Sequence, residues 1–400
     1  MDTVISKKNL AAHALDQLHQ MIAPAPVSYD GLYAGRSGLA LYYCYLSIYK
    51  ENDEYDSTAM SLLHEIFDNL ENPSGTTFNG YTLSIGLTGF TYMLYHLYGE
   101  GFLPGFDIKR NLQALDTYIY ESSLEDLKNG NTDFMHGPLG SMLYFAERLP
   151  DPEIEGYILS LLDAMNKLAV SDERGLRYTN ARMEKEAGEN EEPIDLGLAH
   201  GNTGILLVLL RLYEKGICMD MIRQIIHDSI RFILSYQEVP DIENGRYSFF
   251  PTELYKVSNH RFLTPRLGWC YGDLNIVLLL YRAGRIMDNP EWISRATHIG
   301  MHTIERKDPA SSMIYDSIFC HGSAGMAQVY RCLYKESSNS AYATAYEYWL
   351  DRTLDYISED EKKCFITNET DLLSGPPGVA LVLLSYLCEE QLNWDKVMLL

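Results

Sequence analysis

Apolar residues along the chain define two kinds of helical segment, which alternate from one end to the other. In one kind the apolar residues recur every three or four positions, the pattern of an amphipathic helix with one polar face. In the other kind almost every position is apolar, which predicts a helix buried on all sides. The amphipathic segments comprise a helix at the N-terminus and the ranges 57–72, 107–124, 153–170, 221–237 and 340–357.

A Gly-x-x-Gly step comes directly before each apolar segment. The step recurs at intervals of about 50 residues or more, and its fifth copy has Asn275 in place of the second glycine. A residue without Cβ lets a turn approach its neighbours closely, so packing alone is enough to explain any one step. The first glycines of the seven steps are Gly35, Gly86, Gly137, Gly201, Gly272, Gly322 and Gly375.

This alternation predicts an all-α protein, an α/α toroid in which seven inner and seven outer helices form a double ring. An open solenoid is the alternative, but it would expose apolar inner helices at both ends. We expect residues 1–400 to form one domain of this kind, with longer loops near 171–195 and 240–265. Long ordered loops usually bind ligands or cover a site, although the composition of 183–193 favours a solvated surface excursion.

The composition excludes several classes of protein. Of 400 residues, 46% are hydrophobic and 22% are charged, and the formal net charge is −23. The apolar content excludes a disordered chain, and the negative charge argues against nucleic acid or an anionic membrane as the partner. No apolar run reaches the roughly 18 residues of a membrane span, and the N-terminus lacks the apolar core of a signal peptide. We therefore expect a cytoplasmic protein that is not an integral membrane protein.

Candidate chemistry emerges when the seven units are aligned on their first glycine. Two positions before that glycine, the fifth and sixth units have Cys270 and Cys320. One position before it, the third, fourth and sixth units have His136, His200 and His321. These positions lie at the N-terminal ends of inner helices, so we expect them to converge at one end of the ring.

Cys270, Cys320 and His321 together supply two thiolates and one imidazole. Three protein ligands are typical of a catalytic zinc ion, which keeps a fourth position open for water or substrate. Thiolates also favour zinc over magnesium or calcium. The alternative is that both cysteines are buried small side chains and that the histidine is satisfied within the core.

With these residues the chain resembles the lanthionine synthetase C-like family, the lanthipeptide cyclases. The family's zinc-site pattern is Trp-Cys-Tyr-Gly followed about 50 residues later by Cys-His-Gly, and it is matched at 269–272 and 320–322. The family's Ala-His-Gly-x-x-Gly element is matched at 199–204. All seven glycine steps fit the family's double ring of helices, so the resemblance spans about residues 30–390.

One departure from the family pattern follows the first zinc motif. The family usually has Pro-Gly where this chain has Leu274 and Asn275. Asparagine tolerates a left-handed backbone, which would allow the turn to be kept, but the resemblance leaves its shape open.

The resemblance implies an enzyme that cyclises a ribosomally made precursor peptide. A dehydratase first converts Ser and Thr to dehydroalanine and dehydrobutyrine, and the cyclase then adds peptide Cys thiols across those double bonds to give thioether rings. The partner implied is the dehydrated precursor peptide, with a dehydratase and a membrane-bound modification complex as further partners left open. One zinc ion per chain would be held by Cys270, Cys320 and His321, and by their places in the motifs the catalytic residues would be His200, Asp133, Arg266 and Tyr271.

Each implied role has a physical basis and a plainer alternative. Zinc would deprotonate a thiol whose free pKa is about 8.5, and Arg266 would stabilise the enolate charge. His200 would protonate the α-carbon while Asp133 orients its imidazole. Alternatively, His200 and Asp133 cap helices and Arg266 pairs with acidic surface residues. No family role maps to His136, which we expect to be structural or part of a pocket wall.

Three other functions remain open at the level of sequence. A relative of the same family could add glutathione to dehydroamino acids in damaged proteins, and a non-catalytic toroid could hold zinc structurally and bind a peptide. Some α/α toroids are glycosidases, which need two carboxylates across a cleft. Asp133 and Asp273 could supply that pair, but the two cysteines and the histidine would then be unexplained.

Overall fold

The computed structural model describes residues 6–72, 77–180, 193–255, 259–359 and 370–400. Within these ranges the chain is mostly helical, with a few short strands. The elements are α1 (Lys7–Ile22), α2 (Arg36–Lys50), α3 (Asp53–Glu71), α4 (Leu87–Gly99), α5 (Ile108–Lys128), α6 (Pro138–Arg148), α7 (Pro152–Asn166), β1 (Val170–Asp172), β2 (Gly175–Arg177), β3 (Pro193–Asp195), α8 (Asn202–Glu214), α9 (Met219–Leu234), β4 (Glu253–Tyr255), β5 (His260–Phe262), α10 (Asp273–Ile286), α11 (Pro290–Ile304), α12 (Pro309–Ser312), α13 (Ser323–Ser337), α14 (Ser340–Glu359) and α15 (Pro376–Leu387).

The two helix classes predicted from the sequence both occur and alternate. The apolar class comprises α2, α4, α6, α8, α10, α13 and α15, and each of these helices begins directly after the first glycine of a step. The amphipathic class comprises α1, α3, α5, α7, α9, α11 and α14. In α8 nearly every side chain is buried, whereas α3 buries only Ala59, Leu63 and Ile66. The difference in burial confirms the interpretation of the two apolar patterns.

One predicted helix ends early. The periodicity predicts helix throughout 153–170, but α7 ends at Asn166 and Val170 already belongs to β1. The reason lies in the residues that follow, because Gly175 adopts a φ of 139° and lets β1 and β2 pair as an antiparallel hairpin. This hairpin forms the start of the first inserted loop.

The second glycine of a step sits inside its helix and is needed for close approach. A Cβ atom at Gly204 would collide with the backbone carbonyl oxygen of Leu198, six residues earlier. The same approach to the carbonyl six residues earlier recurs at Gly38, Gly89, Gly325 and Gly378. The glycine step therefore folds each turn tightly against the helix that it starts.

Replacing Gly204 by alanine is expected to destabilise the fold by about 1–3 kcal/mol, because the new methyl group overpacks against backbone that cannot rotate away. Gly156 is the matched control, since it lies in α7 and a Cβ atom there would have no other atom within 4 Å. Gly156→Ala should raise stability by about 0.5–1 kcal/mol. Urea denaturation of both variants measures the difference, and equal effects would contradict the packing argument.

The fifth step keeps its turn without a second glycine. Asn275 lies in right-handed helix α10, so the left-handed backbone considered from the sequence is not used. Its side-chain amide instead donates to the carbonyl oxygens of Gly268 and Trp269, at 3.2 and 2.9 Å. The asparagine thus binds the carbonyl groups of the turn that carries Cys270.

The described chain forms two compact units. The first comprises Met1–Leu115, Tyr315–Arg331 and Ala343–Leu400, and in it α15 packs against both α1 and α2. The backbone N–H of Leu372 donates to the carbonyl of Tyr33 at 2.7 Å, so the seventh repeat is bonded directly to the first. A closed succession of repeats requires this contact and an open solenoid lacks it.

The second unit comprises Asp116–Ile314 and Cys332–Tyr342, and in it α6, α8 and α10 pack side by side. Strand β3 pairs antiparallel with β4, and β4 with β5, so the two inserted loops meet in one small sheet. The predicted excursion at 183–193 lies outside the described residues except for its last residue, which opens β3. The assignment of residues 1–400 to one domain stays a prediction. None of the described helices combines the length and the apolarity needed to cross a membrane.

Candidate catalytic and metal centre

The turns before α8 and α10 are hydrogen-bonded to each other. The carbonyl oxygen of Cys270 accepts the backbone N–H groups of Leu198 and Ala199, at 2.9 and 3.0 Å. The carbonyl of Ala199 in turn accepts the N–H of Met135, at 3.3 Å. These bonds place Met135, Ala199 and Cys270 next to one another. Each of them lies two positions before the first glycine of its repeat, so the alignment on the glycines predicted this arrangement.

Asp133 and His200 form a hydrogen-bonded pair at this point. The Nδ1 atom of His200 lies 2.9 Å from Oδ2 of Asp133, while Oδ1 of Asp133 accepts the backbone N–H of His136 at 2.8 Å. Asp133 is 1% exposed and the His200 side chain 37%. One oxygen of Asp133 therefore holds its own turn and the other holds His200, while the N-cap residue of α6 is Gly137 and not Asp133.

The electrostatics keep the Asp133 carboxylate ionised. Burial by itself would raise its pKa, but the hydrogen bond and charge of His200 and the N–H of His136 outweigh it and lower the pKa below the usual value. An ionised carboxylate only accepts hydrogen bonds, so Nδ1 of His200 must carry the proton in this contact. In neutral His200 the proton then lies on Nδ1, and Nε2 carries the lone pair. The N-cap residue of α8 is Gly201, which directly follows His200.

The His136 ring stacks on the His200 ring. The two centroids are 5.5 Å apart and the planes differ by 13°. The His136 ring thus covers one face of the His200 ring, which is compatible with the expectation that His136 is structural or part of a pocket wall.

Two polar residues beside this pair were missed by the sequence analysis. The Asn180 amide donates to the same Oδ2 atom of Asp133, at 3.1 Å. Burial raises the pKa of Asp195 to about 7, with Glu253 and Asp133 adding to the rise and the N–H of Gly197 and the charge of His200 opposing it. Both residues belong to the first inserted loop rather than to the glycine steps, so the repeat alignment gave no signal for them.

Arg266 and Tyr271 flank the Cys270 turn. Both side chains are partly exposed, and the carbonyl oxygen of Arg266 packs against Gly272. Within the part of the chain that the structure describes, no carboxylate forms an ion pair with Arg266, so the predicted surface pairing does not occur there.

Cys320 and His321 precede α13 in a turn of the same construction. The N–H of Cys320 donates to the carbonyl of Leu373 at 2.8 Å, and Oδ1 of Asp316 accepts the N–H of Ile318 at 3.1 Å. Both side chains are half-buried. The two ligand candidates of the sixth repeat are thus held by backbone bonds that do not involve their own side chains.

Cys270, Cys320 and His321 form a group that could hold a metal ion. The two sulfur atoms and one ring nitrogen of His321 all lie within 4.8 Å of one another, and among the described residues no other group of three or more such ligands does so. Two thiols and an imidazole are soft ligands suited to zinc, and neither cysteine is in a disulfide. The predicted ligand set is therefore together and compatible with a metal site.

Asp273 forms a buried ion pair, which argues against a role as one of two catalytic carboxylates. Arg306 donates to it at 2.7 Å, and the backbone N–H groups of Phe249 and Phe250 lie at 3.1 Å. Arg306 also donates to the carbonyl oxygens of Ser311 and Pro265. The network fastens the second inserted loop to the start of α10, so the glycosidase-like pair considered from the sequence has no support in the geometry.

Removing the Arg306 side chain should destabilise the protein by about 3–5 kcal/mol, because Asp273 is left as a buried charge without its partner. Arg295→Ala is the control, since its pair with Glu291 is exposed and should contribute less than about 1 kcal/mol. Denaturant midpoints of Arg306→Ala and Arg295→Ala give the comparison. Similar midpoints would show that the Asp273 network does not hold the loop.

Comparisons with known proteins agree with this geometry. The profile of the family described as lanthionine synthetase C-like protein matches residues 26–399. The nisin biosynthesis protein NisC of Lactococcus lactis subsp. lactis is 22% identical over 312 residues, which cover 73% of this chain and 72% of NisC. The solved structure of nisin cyclase matches with a TM-score of 0.74 and 19% identity, covering 98% of each chain. This likeness shows the fold and confirms the predicted α/α toroid.

Proposed function

Because this chain belongs to the lanthionine synthetase C-like family, we propose that it is a thioether-forming lanthipeptide cyclase. It adds Cys thiols of a precursor peptide to dehydroalanine or dehydrobutyrine residues of the same peptide, giving lanthionine and methyllanthionine rings. The observation that carries the proposal is the grouping of two thiols and one imidazole within 4.8 Å, at the residues where the family's motifs recur. The relative NisC, named for nisin biosynthesis, supports it.

The proposed cofactor is one zinc ion per chain, held by Cys270, Cys320 and His321. The donor set fits, since two thiolates and an imidazole would supply three of the four ligands that zinc usually takes in proteins. When bound there, zinc would supply the Lewis acid that keeps a substrate thiol deprotonated near neutral pH. A structural zinc would use a fourth protein ligand, and the described residues place no further His, Cys, Asp or Glu in the group.

The reaction forms one carbon–sulfur bond and moves one proton. Attack of the substrate sulfur on the β-carbon breaks the carbon–carbon double bond and drives electrons onto the neighbouring carbonyl oxygen. The proton released by the thiol must end on the α-carbon, and His200 is the residue assigned to carry it. Because Nδ1 is bonded to Asp133, the transfer takes place through Nε2.

Asp133, Arg266 and Tyr271 complete the proposed catalytic set. Asp133 holds the His200 ring and stabilises it while it is protonated, as its own lowered pKa indicates. Arg266 precedes Cys270 by four residues, and we assign its cation to the enolate oxygen that develops during addition. Tyr271 follows Cys270 directly, and we assign its hydroxyl group to the same step.

The proposed partner is a peptide that a dehydratase has already acted on, because the double bonds must exist before a thiol can add to them. A net charge of −23 favours a precursor with basic segments, since long-range attraction raises the rate of encounter. We also propose that the protein binds the dehydratase itself.

The test is to incubate the purified protein with a dehydrated precursor peptide. Cyclisation is an isomerisation, so the peptide should lose alkylatable thiols without a change in mass. Addition of free glutathione to an acceptor, with a matching rise in mass, would support the alternative thiol-adding enzyme. Retained thiols with a peptide that binds would favour the non-catalytic scaffold and refute the cyclase.

A further inference from the structure

We propose that Asn180 is a positioning residue for the Asp133–His200 pair. The inference rests on the proposed cyclase function for its effect on rate, but its structural part is independent of that function. Asn180 belongs to the first inserted loop, 47 residues from Asp133 and outside every glycine step. The insertion thereby supplies a group to the proton-transfer pair.

The contact is direct and buried. Nδ2 of Asn180 lies 3.1 Å from Oδ2 of Asp133, the oxygen that also accepts Nδ1 of His200 at 2.9 Å. Asn180 is 4% exposed and Asp133 is 1% exposed. Water therefore has little access to replace the amide if it is removed.

Asn180 is held in place by the backbone just before it. The Asn202 side chain accepts the N–H of Tyr178 at 2.9 Å and donates to its carbonyl at 3.0 Å. The hydroxyl of Thr132 donates to the carbonyl of Thr179 at 2.9 Å. Residues 178–180 are thus clamped between the start of α8 and the residue next to Asp133, and the amide is aimed at the carboxylate.

Three donors then fix the orientation of the Asp133 carboxylate. His136 N–H occupies Oδ1, while Asn180 and His200 share Oδ2. With Asn180 removed, the carboxylate can rotate about its χ2 bond, and Nδ1 of His200 loses a fixed acceptor. Hydrogen-bond partners behind a catalytic imidazole fix its tautomer and ring orientation, and their loss typically costs 10–100-fold in activity.

Asn180→Ala should lower kcat of cyclisation about tenfold or more with KM unchanged. Asn180→Asp should lower kcat further, because a second carboxylate repels Asp133 and competes for His200. In a His200→Ala background, Asn180→Ala should have no additional effect, since Asn180 acts through that ring. An additional loss in that background, or an unchanged kcat in the single variant, would overturn the proposal.

Asp116→Asn is the control for the loss of stability. Asp116 is buried in the same unit as Asp133 and is hydrogen-bonded to Tyr144 and Arg148. The melting temperature of Asp116→Asn should fall, as that of Asn180→Ala does, while its kcat stays near wild type. Equal losses of kcat in the two variants would show that the loss of stability, and not the loss of the Asn180 amide, lowers the rate.

A readout without turnover separates this proposal from the cyclase function. With ¹⁵N-labelled histidine, the wild-type His200 imidazole should show a single tautomer with a protonated Nδ1 at neutral pH. Asp116→Asn should keep that signature, and Asn180→Ala should give a mixture of tautomers with faster proton exchange. An unchanged His200 signal in Asn180→Ala would refute the positioning role even if the protein proves not to be a cyclase.

Discussion

Cys320→Ala is expected to lose bound zinc and cyclisation together. The group of two sulfur atoms and one ring nitrogen would be reduced to Cys270 and His321, and two ligands do not hold zinc at the concentrations present in cells. Without the metal, a substrate thiol with a pKa of about 8.5 is mostly protonated at neutral pH and attacks slowly. We expect zinc content near zero by elemental analysis and a loss of cyclisation rate of at least about a thousandfold. The substrate thiol would lose both its activation as a thiolate and its fixed position beside the double bond.

Cys388→Ala is the matched control for this experiment. Cys388 is a free cysteine with the same intermediate exposure as Cys320, and it does not belong to the ligand group. It should retain both zinc and activity. Turnover by Cys320→Ala without metal would refute the proposed role of the cysteine pair, and retained zinc with lost turnover would assign Cys320 a different role in the reaction.

Much of the fold could be predicted from the sequence because the glycine step recurs along the chain and the same physical constraint applies at five of its second glycines. The second glycine of the step meets a carbonyl oxygen six residues earlier at Gly38, Gly204 and Gly378, so the spacing is set by backbone geometry and not by any one site. The boundary of α7 was wrong because the helical period continues past Asn166, while the positive φ of Gly175 allows a hairpin that periodicity cannot reveal.

The site was predictable only where its residues share the phase of the repeat. Cys270, Cys320 and His321 are one or two positions before their glycines, and the structure brings them together. Asn180 and Asp195 lie in an insertion, and they interact with the pair through a long-range hydrogen bond from Asn180 to Asp133 and through the charge of Asp195. A long-range contact made by a loop residue has no periodic signal, which is why both were missed.

The proton-transfer pair carries the second large effect. His200→Ala is expected to lower kcat by about 10²–10⁴-fold with zinc content unchanged, because the proton released by the thiol then reaches the α-carbon only through water. Asp133→Asn should have an effect of similar size, since an amide can donate to Nδ1 and so favour the tautomer opposite to the one that ionised Asp133 imposes. Single-turnover assays with a saturating dehydrated peptide measure both effects.

The contribution of ionised Asp133 to the stability of the fold should depend on pH. Its pKa is lower in the folded state than the unfolded value of about 3.9, so the contacts of its charged form add stability that is fully present above that value. This contribution is lost as the pH falls through the lower folded pKa. Asp133→Asn should therefore differ from wild type by a constant amount at neutral pH, and the difference should shrink in acid.

Asp116→Asn controls for the loss of a buried carboxylate away from the site. Asp116 is hydrogen-bonded to Tyr144 and Arg148 in the same unit, so its substitution should also lower the melting temperature. Because the side-chain bonds of Asp116 are to Tyr144 and Arg148 and not to His200, the kcat of Asp116→Asn should stay within a few-fold of wild type. A large fall in kcat for Asp116→Asn would mean that stability limits the rate, whereas a fall confined to Asp133→Asn and His200→Ala assigns proton transfer to that pair.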